Sequence, residues 1–217
     1  MDSTAKLQQI ISFINEVMGY VPSTEPKDIN IIFGTDPGEL EEQIYEPVNK
    51  EIKIYKRIGS VALIRKRKTS TLGSAENAIF SLLLQCDRET SKFFIETINM
   101  LDLTNNLIEY LFFEHGLLLL NRINNIETIK KEIKNYNVEN VLFLSEKSTK
   151  SLSKFLVNKF DRKINIGWIE HLSLRNFLYI NDEAIKNGDS CVLHPMKGFD
   201  ELTIPELSAF SVLEYIL

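Results

Sequence analysis

Residues 30–39 read Asn30-Ile31-Ile32-Phe33-Gly34-Thr35-Asp36-Pro37-Gly38-Glu39, a short apolar run that stops at a glycine and then turns through a carboxylate, a proline and a second glycine. The run reads as a buried strand that delivers Asp36 into a tight loop. In open α/β sheets ligands bind just beyond the carboxyl ends of strands, so this loop is the first place to look for chemistry. Asp-Pro-Gly is also an ordinary turn, in which Asp36 does no more than cap the backbone.

Working outward, residues 5–19 place Leu7, Ile10, Ile11, Phe13, Ile14 and Val17 near a 3.6-residue period behind Ser3 or Thr4 as a cap, which predicts an amphipathic helix. A polar, proline-bearing loop leads from it to the strand. Beyond the Asp-Pro-Gly loop, residues 51–56 and 60–66 alternate Ile52, Ile54, Val61 and Leu63 with basic positions about Gly59, a basic hairpin within 50–68. Helices are expected over 74–85, 90–101 and 104–114, the last ended by Gly116 as a left-handed C-cap. Leu117 to Leu120, closed by Asn121, reads as a central strand buried on both faces. A helix at 126–136, a strand at 141–144, a helix at 148–160 and a strand at 164–168 follow. Shorter strands are expected at 177–180 and 190–193. A last helix over 205–216 turns Leu207, Phe210, Leu213 and Tyr215 toward the core. Helices alternating with short apolar strands predict one α/β domain over residues 1–217, a three-layer α/β/α sandwich with a short, mainly parallel central sheet.

Composition narrows the function. The chain has 217 residues, 44% hydrophobic and 25% charged, enough to bury a core without staples. Cys86 and Cys191 show no CxxC spacing, which favours reduced thiols and an intracellular setting, cytoplasm or nucleus. No apolar run approaches the roughly 18–20 residues of a membrane span, and Met1-Asp2-Ser3-Thr4 lacks the order of a signal peptide. A net charge of −5 argues against non-specific coating of nucleic acid. Yet Lys53, Lys56, Arg57, Arg65, Lys66, Arg67 and Lys68 form a basic block after the acidic Glu39, Glu41, Glu42 and Glu46. Arg65, Lys66 and Arg67 either contact nucleic acid or protect a solvated edge strand. No HExxH, P-loop, nucleophile elbow or cysteine–histidine cluster is present, so metal hydrolase, NTPase and α/β-hydrolase chemistry have no support, and no metal or cofactor is expected.

Three segments stand in an informative order: Gly34-Thr35-Asp36-Pro37-Gly38, then Glu114-His115-Gly116-Leu117-Leu118-Leu119-Leu120-Asn121, then Val192-Leu193-His194-Pro195 ahead of the terminal segment. Together they resemble the uracil-DNA glycosylase superfamily. Its first motif is of the type Gly-Gln-Asp-Pro-Tyr or Gly-x-Asn-Pro-Gly, its middle strand Gly-Val-Leu-Leu-Leu-Asn, and its late loop His-Pro-Ser-Pro. The resemblance spans roughly residues 30 to 217 and is closest in the middle segment. It departs at Gly38, where uracil-specific members carry tyrosine, at Asp36, where the Pro-Gly branches carry asparagine, and after Pro195, where Met196 and Lys197 replace small residues.

The resemblance implies a DNA-acting protein that flips a damaged or modified pyrimidine into a pocket and hydrolyses its N-glycosidic bond. Asp36 would orient the attacking water and steady an oxocarbenium-like sugar. Asn121 would pair with the base edge, and His194 would donate to the base oxygen as charge develops there. Gly34, Pro37 and Gly38 would shape the loop that backbone amides present to the ligand. His171, in Glu170-His171-Leu172-Ser173, competes with His194 for the imidazole role. Asn121 as a residue bonding its own loop and His194 as an ordinary loop residue are the plain alternatives, and His115 reads as a helix C-terminal cation favoured by the dipole. The rival function is a catalytically inactive member, a replication or repair accessory subunit that docks a protein partner through its C-terminal helix.

Overall fold

In a computed structural model the described residues are 3–21, 24–34, 45–46, 66–67, 74–121, 131, 133–144, 164–168, 194–195 and 207–213. The expected strands at 51–56, 177–180 and 190–193, most of that at 60–66, the helix at 148–160 and Cys191 lie outside them.

Helix α1 spans Ser3–Met18. Its inner stripe is Lys6, Ile10, Phe13, Ile14 and Val17, so the helix is rotated slightly from the expected facing: Leu7 and Ile11 are 40% and 45% exposed, while Lys6 is only 2% exposed. Lys6 lies one turn before Ile10 on the same line, where its methylene stem packs as an apolar chain would. Its Nζ donates to Gln9 Oε1 at 2.8 Å. Burial lowers the Lys6 pKa, and the nearby Cys86 thiol opposes that shift. Cys86 is buried, as its surroundings in the sequence suggest.

Three helices follow the first part of the chain: α2 (Ser74–Leu84), α3 (Arg88–Met100) and α4 (Thr104–His115). α3 begins two residues before its expected start because Asp87 caps it, accepting from the Thr90 amide at 2.8 Å and the Thr90 hydroxyl at 3.0 Å. α4 ends where predicted. Gly116 takes the left-handed conformation at φ 59° and returns its amide to the carbonyls of Leu111 and Phe112.

The main sheet contains β1 (Asp28–Gly34), β4 (Leu117–Asn121), β5 (Asn137–Phe143), β6 (Asn165–Trp168) and β7 (His194–Pro195), in the order β4-β1-β5-β6-β7. The first four are parallel, and β7 runs antiparallel beside β6. This is an α/β fold. The chain steps from β1 to β4 on one side and then to β5 on the other, so the winding reverses at β1. Leu117 to Leu120 are fully buried as expected, but β4 lies at the edge of the described sheet rather than in its centre. Burial of all four leucine side chains gives this edge strand the same all-apolar composition as a central one.

Two cross-strand rows organise the sheet. Near its amino ends, Asn140 Nδ2 donates to Asn30 Oδ1 at 2.8 Å and Asn165 Nδ2 donates to Asn140 Oδ1 at 2.9 Å, a ladder across β1, β5 and β6. Three residues further along each strand come Phe33, Phe143 and Trp168, with the two phenylalanine rings stacked at 5.1 Å.

The C-terminal segment corrects an expectation. Instead of a helix over 205–216, the described residues form one 3-10 turn, Leu207–Phe210, followed by non-helical chain. The Val212 amide bonds the Leu83 carbonyl at 2.8 Å, Asn30 Nδ2 bonds the Ala209 carbonyl at 2.9 Å, and Gln85 Nε2 bonds Ser211 Oγ at 2.6 Å. These tethers hold Phe210 and Val212 in the chain's own core, so those side chains are not a surface offered to a partner.

Candidate functional site

The carboxyl edge of the parallel sheet collects the described members of the predicted site. Gly34 ends β1 and is buried; Asn121 ends β4; the two are register partners. Beside them, the Leu144 amide closes the ladder onto the Phe33 carbonyl at 2.9 Å. At the far side His194 pairs with Trp168, the half-buried last residue of β6, and Pro195 pairs with Gly167. The sequence marks Trp168 only as the end of a core strand; its place beside His194 is new. Asp36, Pro37 and Gly38 lie outside the described residues, two to four positions past Gly34. His171 does too, three positions past Trp168.

Position in the sheet constrains what these groups can do together. Four inter-strand steps separate β4 from β7, roughly 19 Å at the usual strand spacing. Asn121 and His194 are therefore too far apart to touch, with the ends of β1, β5 and β6 between them. The winding reverses between β1 and β5, the kind of position at which open sheets bind ligands. Phe33 and Phe143, one residue before Gly34 and Leu144, stack there in the core and are fully buried.

The basic segment is only partly described. Lys66 and Arg67 form β3 (Lys66–Arg67), which runs antiparallel to β2 (Tyr45–Glu46) in a separate two-stranded ladder. Arg67 stands opposite Tyr45 and Lys66 opposite Glu46. Arg65 lies outside the described residues.

A second polar cluster sits where α1 meets α4. Tyr110 donates to Glu16 Oε2 at 2.6 Å. Burial foremost, and then this bond to Glu16, raises the Tyr110 phenol above its ordinary range. His115 ends α4 as expected; burial lowers its pKa, and the carboxylates of Glu114 and Glu16 only partly oppose that. Among the described residues no group of three or more His, Cys, Asp and Glu side chains is placed to hold a metal ion. No helix among them is long and apolar enough to cross a membrane.

Compared with known protein families, characterised proteins and solved structures, the chain matches none.

Proposed function

We propose that the protein is a DNA-acting member of the uracil-DNA-glycosylase-like fold that hydrolyses the N-glycosidic bond of a flipped, damaged or modified pyrimidine. What supports the reading is one adjacency: Gly34 and Asn121, which end the strands carrying the first and middle motifs, are register partners at the carboxyl edge of the sheet. The two segments are far apart in sequence, and the resemblance drawn from sequence requires their strand ends to meet.

On this reading a base lies over the ends of β1 and β5. Asp36 orients the attacking water and stabilises the oxocarbenium-like sugar. The Asn121 amide reads the base edge. His194, or His171 three residues past the end of β6 in the sequence, donates to the base oxygen as negative charge develops. Gly34, Pro37 and Gly38 let the first loop approach the ligand closely.

The test uses single- and double-stranded oligonucleotides carrying uracil, hydroxymethyluracil or a mismatch, with strand scission by alkali after incubation. Wild-type protein is expected to release the base, and Asp36→Asn to lose about 10²–10⁴-fold in rate, the usual contribution of a positioned acid–base group, while still binding the oligonucleotide. Equal scission in the two proteins removes the enzyme. Binding with no release by either leaves the accessory-subunit role as the standing alternative. Neutralising Arg65, Lys66 and Arg67 together is expected to weaken DNA binding and flatten its salt dependence by roughly two to three units of log–log slope. An unchanged slope discards that segment as a contact.

A further inference from the structure

The polar cluster between α1 and α4 involves none of the groups assigned to the carboxyl edge. The His115 ring lies 6.2 Å from that of Phe13 and 5.3 Å from that of Tyr110. Its Nε2 is buried and has no hydrogen-bond partner among the described residues. Tyr20 packs edge-on against Tyr110 at 5.3 Å, and Asn106 Nδ2 reaches the Val17 carbonyl at 3.5 Å. The last turn of α1 is thus fastened to α4 by an aromatic stack enclosing an imidazole, with the Tyr110–Glu16 bond at its rim.

We propose that this fastening is acid-sensitive: protonation of His115 undocks the stretch from Glu16 to Tyr20 from α4 while the rest of the fold stays closed. An imidazolium carries two N–H donors and a positive charge, and the donor at the buried Nε2 meets no acceptor among the described residues. The titratable groups facing it are Glu16 on α1, Tyr20 just beyond that helix, and Tyr110 and Glu114 on α4 itself. Glu16 Oε2 is already held by Tyr110, so an imidazolium that draws the Glu16 carboxylate toward itself competes with that bond. Hydration of the ring, the other escape, loosens the aromatic stack. Both routes weaken the hold of α4 on the last turn of α1. Ile10 and Ile14, buried in the core, hold the earlier turns in place, so that Val17 is the one inner-stripe residue that the opening exposes.

The direction follows from linkage. Burial holds His115 below the ordinary imidazole value against the pull of Glu114 and Glu16. The folded pKa therefore lies below the unfolded value of about 6.5. The stabilisation of the closed form is complete above the unfolded value and is lost as pH falls through the folded one.

Amide hydrogen exchange resolved by NMR between pH 7.5 and 5, corrected for intrinsic rates, tests the switch. Protection of the Glu16–Tyr20 amides is expected to fall by up to about tenfold per pH unit below the imidazole range, with β1 and β5 unchanged. His115→Phe, which keeps a ring but cannot titrate, is expected to abolish the slope. An identical slope in His115→Phe, a flat profile in the wild type, or parallel loss of protection in β1 and β5 overturns the proposal. If His115→Phe does not fold, His115→Gln is judged by the same criteria. In the wild type the His115 ring titration must coincide with the loss of protection at Glu16–Tyr20, and non-coincidence overturns the proposal as well.

Discussion

Replacing Gly116 by alanine is expected to destabilise the protein by about 2–5 kcal/mol, the sum of left-handed strain and a steric clash. Gly116 sits at φ +59°, where a residue with a Cβ is strained by its own backbone. An added Cβ would also stand 2.5 Å from the Asp28 carbonyl oxygen and 3.6 Å from the Ile29 Cα, both backbone atoms that cannot swing aside. The same junction carries the bond from the Asn30 amide to the Gly116 carbonyl at 2.9 Å, which starts the β1–β4 pairing. Relief of the clash therefore moves the α4–β4 corner away from β1. Urea titration should show a lower midpoint at unchanged slope. Gly116→Asn separates the two causes, because asparagine tolerates the left-handed region but keeps the Cβ. If the clash dominates, Asn and Ala cost about the same; a loss below about 1 kcal/mol for both would show that the corner yields freely.

Gly116 was also the most legible point of the fold, and the reason is physical. A glycine after a helical run and before four leucines has one economical conformation, so cap, strand start and close approach follow from the same few residues. The elements α2, α4, β1, β4, β5 and β6 were legible in the same way, each set by a local period or an apolar run with turn residues at its ends. What sequence could not supply was lateral. Leu117 to Leu120 has the composition of a central strand because all four side chains are buried, and burial says nothing about how many neighbours lie alongside. The facing of α1 differs from the expected one because the Lys6 stem occupies the inner line, while Leu7 and Ile11 turn toward solvent. The terminal segment was expected to be helical because Leu207, Phe210 and Leu213 fit a helical spacing; tertiary bonds to Leu83, Gln85 and Asn30 hold it as a single turn instead.

For the candidate site, the sequence supplied the residues and the structure supplied an adjacency. Gly34 and Asn121 end up as register partners, and His194 joins the same edge beside Trp168. The Asp36 loop falls outside the described residues, so the convergence of all three groups rests on the proposed function and its assay. His115 shows the limit of local reasoning most clearly. Its position at a helix C-terminus favours a cation, whereas its burial beside Phe13 and Tyr110 lowers its pKa.

Asn140→Asp is expected to be the most damaging change in the sheet, by about 3–5 kcal/mol at neutral pH, as for an uncompensated buried charge. Asn140 is 9% exposed and acts in both directions, donating to Asn30 Oδ1 and accepting from Asn165 Nδ2. A carboxylate there keeps the second bond, but sets an acceptor against an acceptor in the first. The damage should ease in acid. Burial raises the folded pKa of the introduced carboxyl above its unfolded value of about 3.9. Its favourable neutral form, able to donate to Asn30, is then fully present below the unfolded value and lost as pH rises through the folded one. Denaturant midpoints between pH 8 and 4.5 should thus converge on those of the wild type in acid. A constant deficit would mean that charge burial is not the cause. Asn140→Leu, which adds no charge, should cost about 2 kcal/mol for unsatisfied partners at any pH. The consequence reaches the candidate site through register. β5 carries an extra residue opposite the Ile29–Asn30 step, so the pairing jumps from Val138 to Asn140 there. The asparagine row is the first pairing after that bulge, and three residues on it becomes the row of Phe33, Phe143 and Trp168. A one-residue slip would invert every facing beyond the bulge. The ends of β1 and β5 would then shift relative to each other, and Gly34 and Asn121 would no longer present one edge with His194. Asn140→Leu should therefore impair any activity at that edge by more than its loss of stability alone predicts, measured at a temperature where the variant remains folded.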